Sequence, residues 1–284
     1  MLSFSQRIGI TPIKNIVQLE SIDEDLKNAL WNGLTIYYWK NLIKYDRITD
    51  NTHEVQVLLL SIWGSFFKKR LDEKPMYFEQ LHQNIKQFFL KADWFEIYNF
   101  IEFVPNSYHS KGYDQVNEDF IEYCNIILER ELSAYRFVNK LLTQISSKVE
   151  IEAIEEALAN TDYLKPVKTH LNRALELYSD KKSPDYRNSI KESISAVESY
   201  CSIITGNPKA TLGQALKQIE KAHNLHTALR SSFSSLYGYT SDANGIRHAL
   251  LEEDKLNQED AKFMLIACSA FINYLIQKES KTNQ

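Results

Sequence analysis

At 284 residues, 44% hydrophobic and 25% charged, the chain is long enough for one large or two ordinary globular domains, each with its own core. Eight glycines and six prolines are too few for a β-sandwich or a glycine-rich nucleotide fold. A formal charge of −4 gives no global attraction to nucleic acid, so any such binding needs a local patch.

Residues 1–20 lack a basic-then-apolar signal layout. The most apolar run, 55–67, is about half of what a bilayer span needs and is interrupted by Gln56, so no membrane partner is expected. Phe4 to Pro12 reads as an extended, docked leader. Ser21 and Glu24 fit a capping box, with Asp23 and Asp25 favouring the positive end of a helix dipole. The helix that follows carries Leu26, Ala29, Leu30, Gly33, Leu34, Tyr37 and Tyr38 on one face. A polar break at 46–53 precedes a second helix, 54–71, and Pro75 opens a third region through Leu81, Ile85, Phe88 and Phe89. The aromatic segment 94–103 reads as a helix ended by Pro105, and 118–131 as an amphipathic helix built on Phe120, Cys124, Ile127 and Leu128. Segment 134–145 breaks the helical rhythm. Its alternation around Asn139-Lys140 predicts a small β-hairpin.

Helix returns over 150–159, and Asn160-Thr161-Asp162 is the expected seam between an N-terminal domain, 1–160, and a C-terminal domain, 161–284. The second half is helical throughout: 163–178, then a helix from Pro184 with Ile190, Ile194, Val197, Tyr200 and Cys201 as its buried stripe. Gly206-Asn207-Pro208 stops it; Thr211 caps a short helix, and 225–236 and 257–277 complete the set. The fold class is therefore mainly α: an N-terminal helical domain with a small hairpin, then a C-terminal helical bundle. Cys124, Cys201 and Cys268 form neither a metal spacing nor an even disulfide set, and are expected as buried thiols of a cytoplasmic protein.

The chemistry-bearing stretch is 237–253, YGYTSDANGIRHALLEE. Gly238 suits a helix end, Ser241, Asp242, Asn244 and Gly245 make a polar turn, and Arg247-His248 follow. Arg247 is a fixed cation with a planar fork for anions; His248 can exchange a proton near neutral pH. Asp242 is placed to orient the imidazole as a carboxylate does in catalytic triads. On the helix after Pro184, Asn188, Glu192 and Ser195 share one polar side, from which Asn188 and Glu192 could bind toward the Arg-His pair. An ordinary capped helix start with a solvated face remains the plainer reading of the same residues. No glycine-rich phosphate loop, HExxH, CxxC, GxSxG or dinucleotide fingerprint occurs, so no cofactor is expected and no metal.

RNSIKESISAVESYCSII, TLGQALKQIE, LHTALRSSFSSLYGYTSDANGIRHALLEEDK and DAKFMLIACSAFINYLI together resemble a HEPN-type helical domain, as found at the C-terminal end of bacterial AbiJ-type abortive-infection proteins. FSQRIG, LKNALWNGL and RELSAYRFVNKLLTQIS are similar to one of the N-terminal domains of that group. The resemblance implies phage defence, a domain that forms homodimers and metal-independent ribonuclease activity; Arg247, His248 and Asp242, singled out above on their own chemistry, are the residues expected to carry that activity, with RNA or a phage-derived trigger as partner. It also implies a non-catalytic alternative, a dimerisation, sensing or nucleotide- or RNA-binding module. One departure bears on the choice. Ribonucleases of the HEPN type carry Arg and His four to six residues apart, whereas Arg247 and His248 are adjacent and so about 100° apart around a helix. The dimer expectation has a second root in the terminal helix, which offers Phe263, Met264, Ala267, Cys268, Phe271, Tyr274 and Leu275 on one side and Ile266, Ile272 and Ile276 on another, so that it either lies at the centre of the bundle or is covered in part by a second copy.

Overall fold

The computed structural model describes residues 4, 8, 10, 17–40, 47–108, 114–180, 183–241 and 256–282. Among them the fold is mainly α, with eleven α-helices and a single two-stranded antiparallel hairpin. The chain divides into two compact units, Met1–Ser146 and Ser147–Gln284.

The first unit holds α1 (Glu24–Leu34), α2 (His53–Ser61), α3 (Phe78–Lys91), α4 (Trp94–Ser107) and α5 (Asp114–Arg130). The cap of α1 is Asp23, whose Oδ1 accepts from the Leu26 N–H at 2.9 Å, and not Ser21. Both α1 and α2 continue as π-helical turns, Thr35–Trp39 and Ile62–Phe66. The second expected helix therefore stops short of residue 71, because Lys68 turns left-handed at φ 53°. Pro105 does not end α4. It lies in the last turn, where its missing N–H removes only one bond, and Asn106 Nδ2 donates to the Glu102 carbonyl at 2.8 Å beside it. The core is aromatic: Trp39, Phe78, Phe89, Tyr98, Phe100, Phe120 and Phe137 are fully buried.

The hairpin pairs β1 (Arg136–Val138) with β2 (Leu141–Thr143) around Asn139 and Lys140, both at positive φ as a type I′ turn requires. Two three-residue strands are too short to hold alone. Helix side chains finish their hydrogen bonding. Asn125 of α5 acts as a false strand, accepting from the Phe137 N–H at 2.8 Å and donating to the Phe137 carbonyl at 3.1 Å. On the other side Glu102 accepts from the Leu142 N–H, and Asn106 donates to the Lys140 carbonyl at 3.0 Å.

The second unit comprises α6 (Lys148–Asn160), α7 (Lys165–Ser179), α8 (Tyr186–Thr205), α9 (Leu212–Ala222), α10 (Thr227–Ser241) and α11 (Gln258–Thr282). Helix α6, which lies before the seam expected from the sequence, packs on α11 within this unit. Gly206 closes α8 in the left-handed conformation at φ 63°, and Thr211 with Gln214 forms a capping box on α9. Helix α8 packs against α7 and α11 through Ile190, Ile194, Val197, Tyr200 and Cys201. Small residues let the backbones close up: buried Ser189 donates from Oγ to the Ala174 carbonyl at 2.8 Å. Neighbours α6, α7 and α8 take up most of the circumference of α11, burying Met264, Leu265, Cys268, Phe271, Ile272 and Leu275 and leaving Phe263 exposed. Asn273 adds a polar tie, donating to the Ala153 carbonyl at 2.9 Å. No helix among the described residues is long and apolar enough to cross a membrane.

Candidate functional site

Arg247, His248 and Asp242 lie outside the described residues, between the end of α10 and the start of α11. Gly238 does not end α10, which runs on to Ser241, since glycine permits a left-handed stop without imposing one. No described side chain of α10 is fully buried. The helix is held by polar ties at its start, where Arg230 Nε meets Glu220 Oε2 at 2.8 Å and Thr227 Oγ1 donates to Glu220 Oε1 at 2.6 Å. Further along, Phe233 lies flat on Phe271, with the ring planes 15° apart.

Asn188 and Glu192 sit one helical turn apart on α8, as their spacing predicts, and each has a partner within the unit. Asn188 closes the start of the helix: its N–H donates to Asp185 Oδ1 at 3.0 Å and its Nδ2 to Oδ2 at 2.7 Å. Glu192 Oε2 lies 2.6 Å from His170 Nδ1 of α7, with both side chains partly exposed. With hydrogen on Nδ1, this pair leaves Nε2 as the basic nitrogen, the arrangement by which a carboxylate orients a proton-transferring imidazole. His170 escaped the sequence reading. A lone histidine on an amphipathic helix has no local signal, and it becomes Glu192's partner only because α7 and α8 are neighbours.

Thiol chemistry has no candidate. All three cysteines are unpaired and buried, and burial pushes Cys201 and Cys268 up to about 12 and Cys124 upward as well, so none supplies a thiolate near neutral pH. Among the described residues one carboxylate trio has metal-like spacing: oxygens of Asp23, Asp25 and Glu131 lie within 4.8 Å of one another. Asp23 is already committed to capping α1, so the trio carries no metal assignment.

These features define an α-helical protein of two compact units, the first closed by a helix-clamped hairpin. A family model, AbiJ N-terminal domain 4, matches residues 2–160, and the chain belongs to that family, that of AbiJ-type proteins. The match spans the whole first unit beyond Met1 and extends through α6. No curated protein and no solved structure matches the chain.

Proposed function

We propose that the chain is a phage-defence protein of the abortive-infection type, and that its C-terminal unit is HEPN-like and cleaves RNA without a metal ion. The observation that carries the defence reading is the AbiJ N-terminal domain over residues 2–160. The all-helical make-up of the described part of the second unit, with α10 and α11 bracketing the Arg247-His248 stretch, is compatible with the HEPN reading. In the proposed reaction His248, oriented by Asp242, takes the ribose 2′-hydroxyl proton. The 2′ oxygen attacks the adjacent phosphorus, and Arg247 stabilises the charge on the phosphorane. The 5′ oxygen then leaves with the proton returned by the imidazolium, giving a 2′,3′-cyclic phosphate and a 5′-hydroxyl.

Full-length protein incubated with total RNA in EDTA, with and without lysate of phage-infected cells, tests the reaction. Cleavage is expected, with a loss on the order of 10²–10⁴-fold for His248→Ala, the usual worth of general acid–base catalysis. No cleavage by the wild type under either condition overturns it. Plaque counts separate the alternatives: protection that survives His248→Ala and disappears with Arg247→Ala leaves a non-catalytic, anion-binding module. A homodimer through the second unit belongs to the same proposal. Its support is exposed Phe263, with Ile266 and Ile276 half-buried beside it on α11. Light scattering of the full chain giving a monomer mass would remove the dimer.

A further inference from the structure

The first unit carries an open groove whose lining includes Lys69, Asn84, Gln87, Phe88, Lys91 and Glu96. Its Lys69 side is held in place by one residue, Trp63. After the π-helical turn Ile62–Phe66 and the left-handed Lys68, the Lys69 N–H donates to the Trp63 carbonyl at 3.1 Å. The Trp63 indole N–H donates to the Arg70 carbonyl at 2.7 Å, and the Lys69 ammonium sits 4.7 Å from the centre of the same indole ring. Two contacts of its own to Trp63, and a third from that indole to the carbonyl of the next residue, thus fix a lysine that would otherwise be a free surface chain. Among the described residues neither Lys69 nor Lys91 pairs with a carboxylate, and the Asn84 and Gln87 carboxamides have no protein partner. The one carboxylate of the lining is engaged elsewhere, since Glu96 Oε2 accepts from the Asp93 N–H at 2.9 Å to cap α4. Half-buried Phe88, packed against Phe66, Phe67 and Phe100, also lines the groove.

We propose that this groove binds a segment of single-stranded nucleic acid: Lys69 and Lys91 hold phosphates, Asn84 and Gln87 meet base edges, and Phe88 offers a surface for stacking. An acidic peptide would use only the two cations. A nucleic-acid strand uses both cations and also the unspent carboxamides and the ring, the combination by which such strands are held. The groove is also a local positive patch of the kind that a chain of net charge −4 requires for this binding. This inference does not rest on ribonuclease activity in the second unit.

The test uses the full chain, EDTA and a fluorescent 2′-O-methyl oligonucleotide of about twelve nucleotides, uncleavable by 2′-hydroxyl attack and within the usual single-strand site size. Anisotropy is followed across rising salt for the wild type, for Lys69→Glu/Lys91→Glu, and for a charge-matched control in the other unit, Lys148→Glu/Lys165→Glu. Weakening of about ten-fold or more is expected for the groove variant alone. Its log–log salt slope should flatten by about 1.4, or about 0.7 for each lost phosphate contact. Lys91→Glu alone, which leaves the Trp63 clamp untouched, is expected to give about half of that change in slope. Asn84→Ala/Gln87→Ala should weaken binding several-fold with the slope unchanged. The proposal falls if the wild type fails to bind at roughly 100 μM, the weak end of non-specific affinity. It falls equally if the two charge-reversal pairs lose affinity alike, or if a polyglutamate peptide binds more tightly than the oligonucleotide.

Discussion

The two units solve the same packing problem with different residues. Eleven of the 14 phenylalanines and all four tryptophans fall in residues 1–146. There Phe66 meets Phe88, Phe100 and Phe103 at ring-centre distances of 5.5, 5.0 and 5.2 Å, mostly edge to face. Helices α1 and α2 are short and each runs into a π-helical turn, and rings carried by α3, α4 and α5 pack on the aromatic residues of those turns. The second unit has longer helices, such as α8 and α11, and brings α7 and α8 together over Ser189 and Ala174 instead. The first unit is thus filled by bulky rings, and the second closes its α7–α8 contact with small residues.

The sharpest way to break this comparison is to change size in each unit. Phe100→Ala removes a fully buried ring and should cost about 3–5 kcal/mol. Tryptophan fluorescence reports it cleanly, because every tryptophan lies in the first unit; an unmoved transition would refute the ring-filled core. The matching change in the second unit goes the other way. Ala196→Leu adds bulk at a fully buried position of α8 and should cost about 1–3 kcal/mol in thermal unfolding followed by circular dichroism. Of similar size is Asn125→Ala, which strips the Phe137 N–H and carbonyl of their side-chain partner in a buried setting, at about 1–3 kcal/mol. Asn125→Asp restores the acceptor but not the donor, so a partial recovery is expected.

A smaller effect should appear with pH. His82 lies between Trp31, Trp39 and Phe78, with ring centres 5.5, 6.2 and 5.5 Å away, and its buried Nε2 has no hydrogen-bond partner among the described residues. Burial lowers its pKa below the ordinary histidine value, with Lys86 pushing the same way and Glu79 opposing. The folded state therefore resists a proton that the unfolded chain accepts. Stability of the first unit should be level above about pH 6.5 and decline as the pH falls below it, toward the depressed folded value. His82→Gln should flatten that part of the pH profile; a decline of the same steepness in the variant would assign it to other groups.

Periodicity showed where the helices run, and Asn139-Lys140 showed the hairpin, because both signals are local in the chain. The π-helical turns were not legible, since their residues satisfy an α pattern equally well. Asp23 displaced Ser21 as the cap of α1 because the Asp23 N–H is itself held by Gln18 Oε1 at 2.6 Å, a contact outside any capping pattern. Asn188 and Glu192 lie on one helix, one turn apart, because an offset of four is legible in the sequence. Their partners differ in kind: Asp185 is three residues from Asn188, but His170 belongs to a different helix from Glu192. The Trp63 clamp was invisible for the same reason, being a matter of how a turn folds back on a ring.

Lys68 gives the smallest prediction and the one that joins the groove to the backbone beneath it. At φ 53° it occupies the left-handed position after a helix where glycine is preferred, and a lysine there is strained. Lys68→Gly relieves the strain but adds freedom to the unfolded chain, so the net gain should be under about 1 kcal/mol. In tryptophan fluorescence that is a small upward shift of the first unit's transition. If Lys68 supplies only the turn, oligonucleotide affinity in the same variant stays within about two-fold of wild type, because Lys69 still hangs on Trp63. If affinity falls further while stability rises, the Lys68 charge itself contacts the strand and belongs to the binding surface. A loss of stability would mean instead that the left-handed turn is not strained, and would remove the claim that the chain holds a cost at this corner.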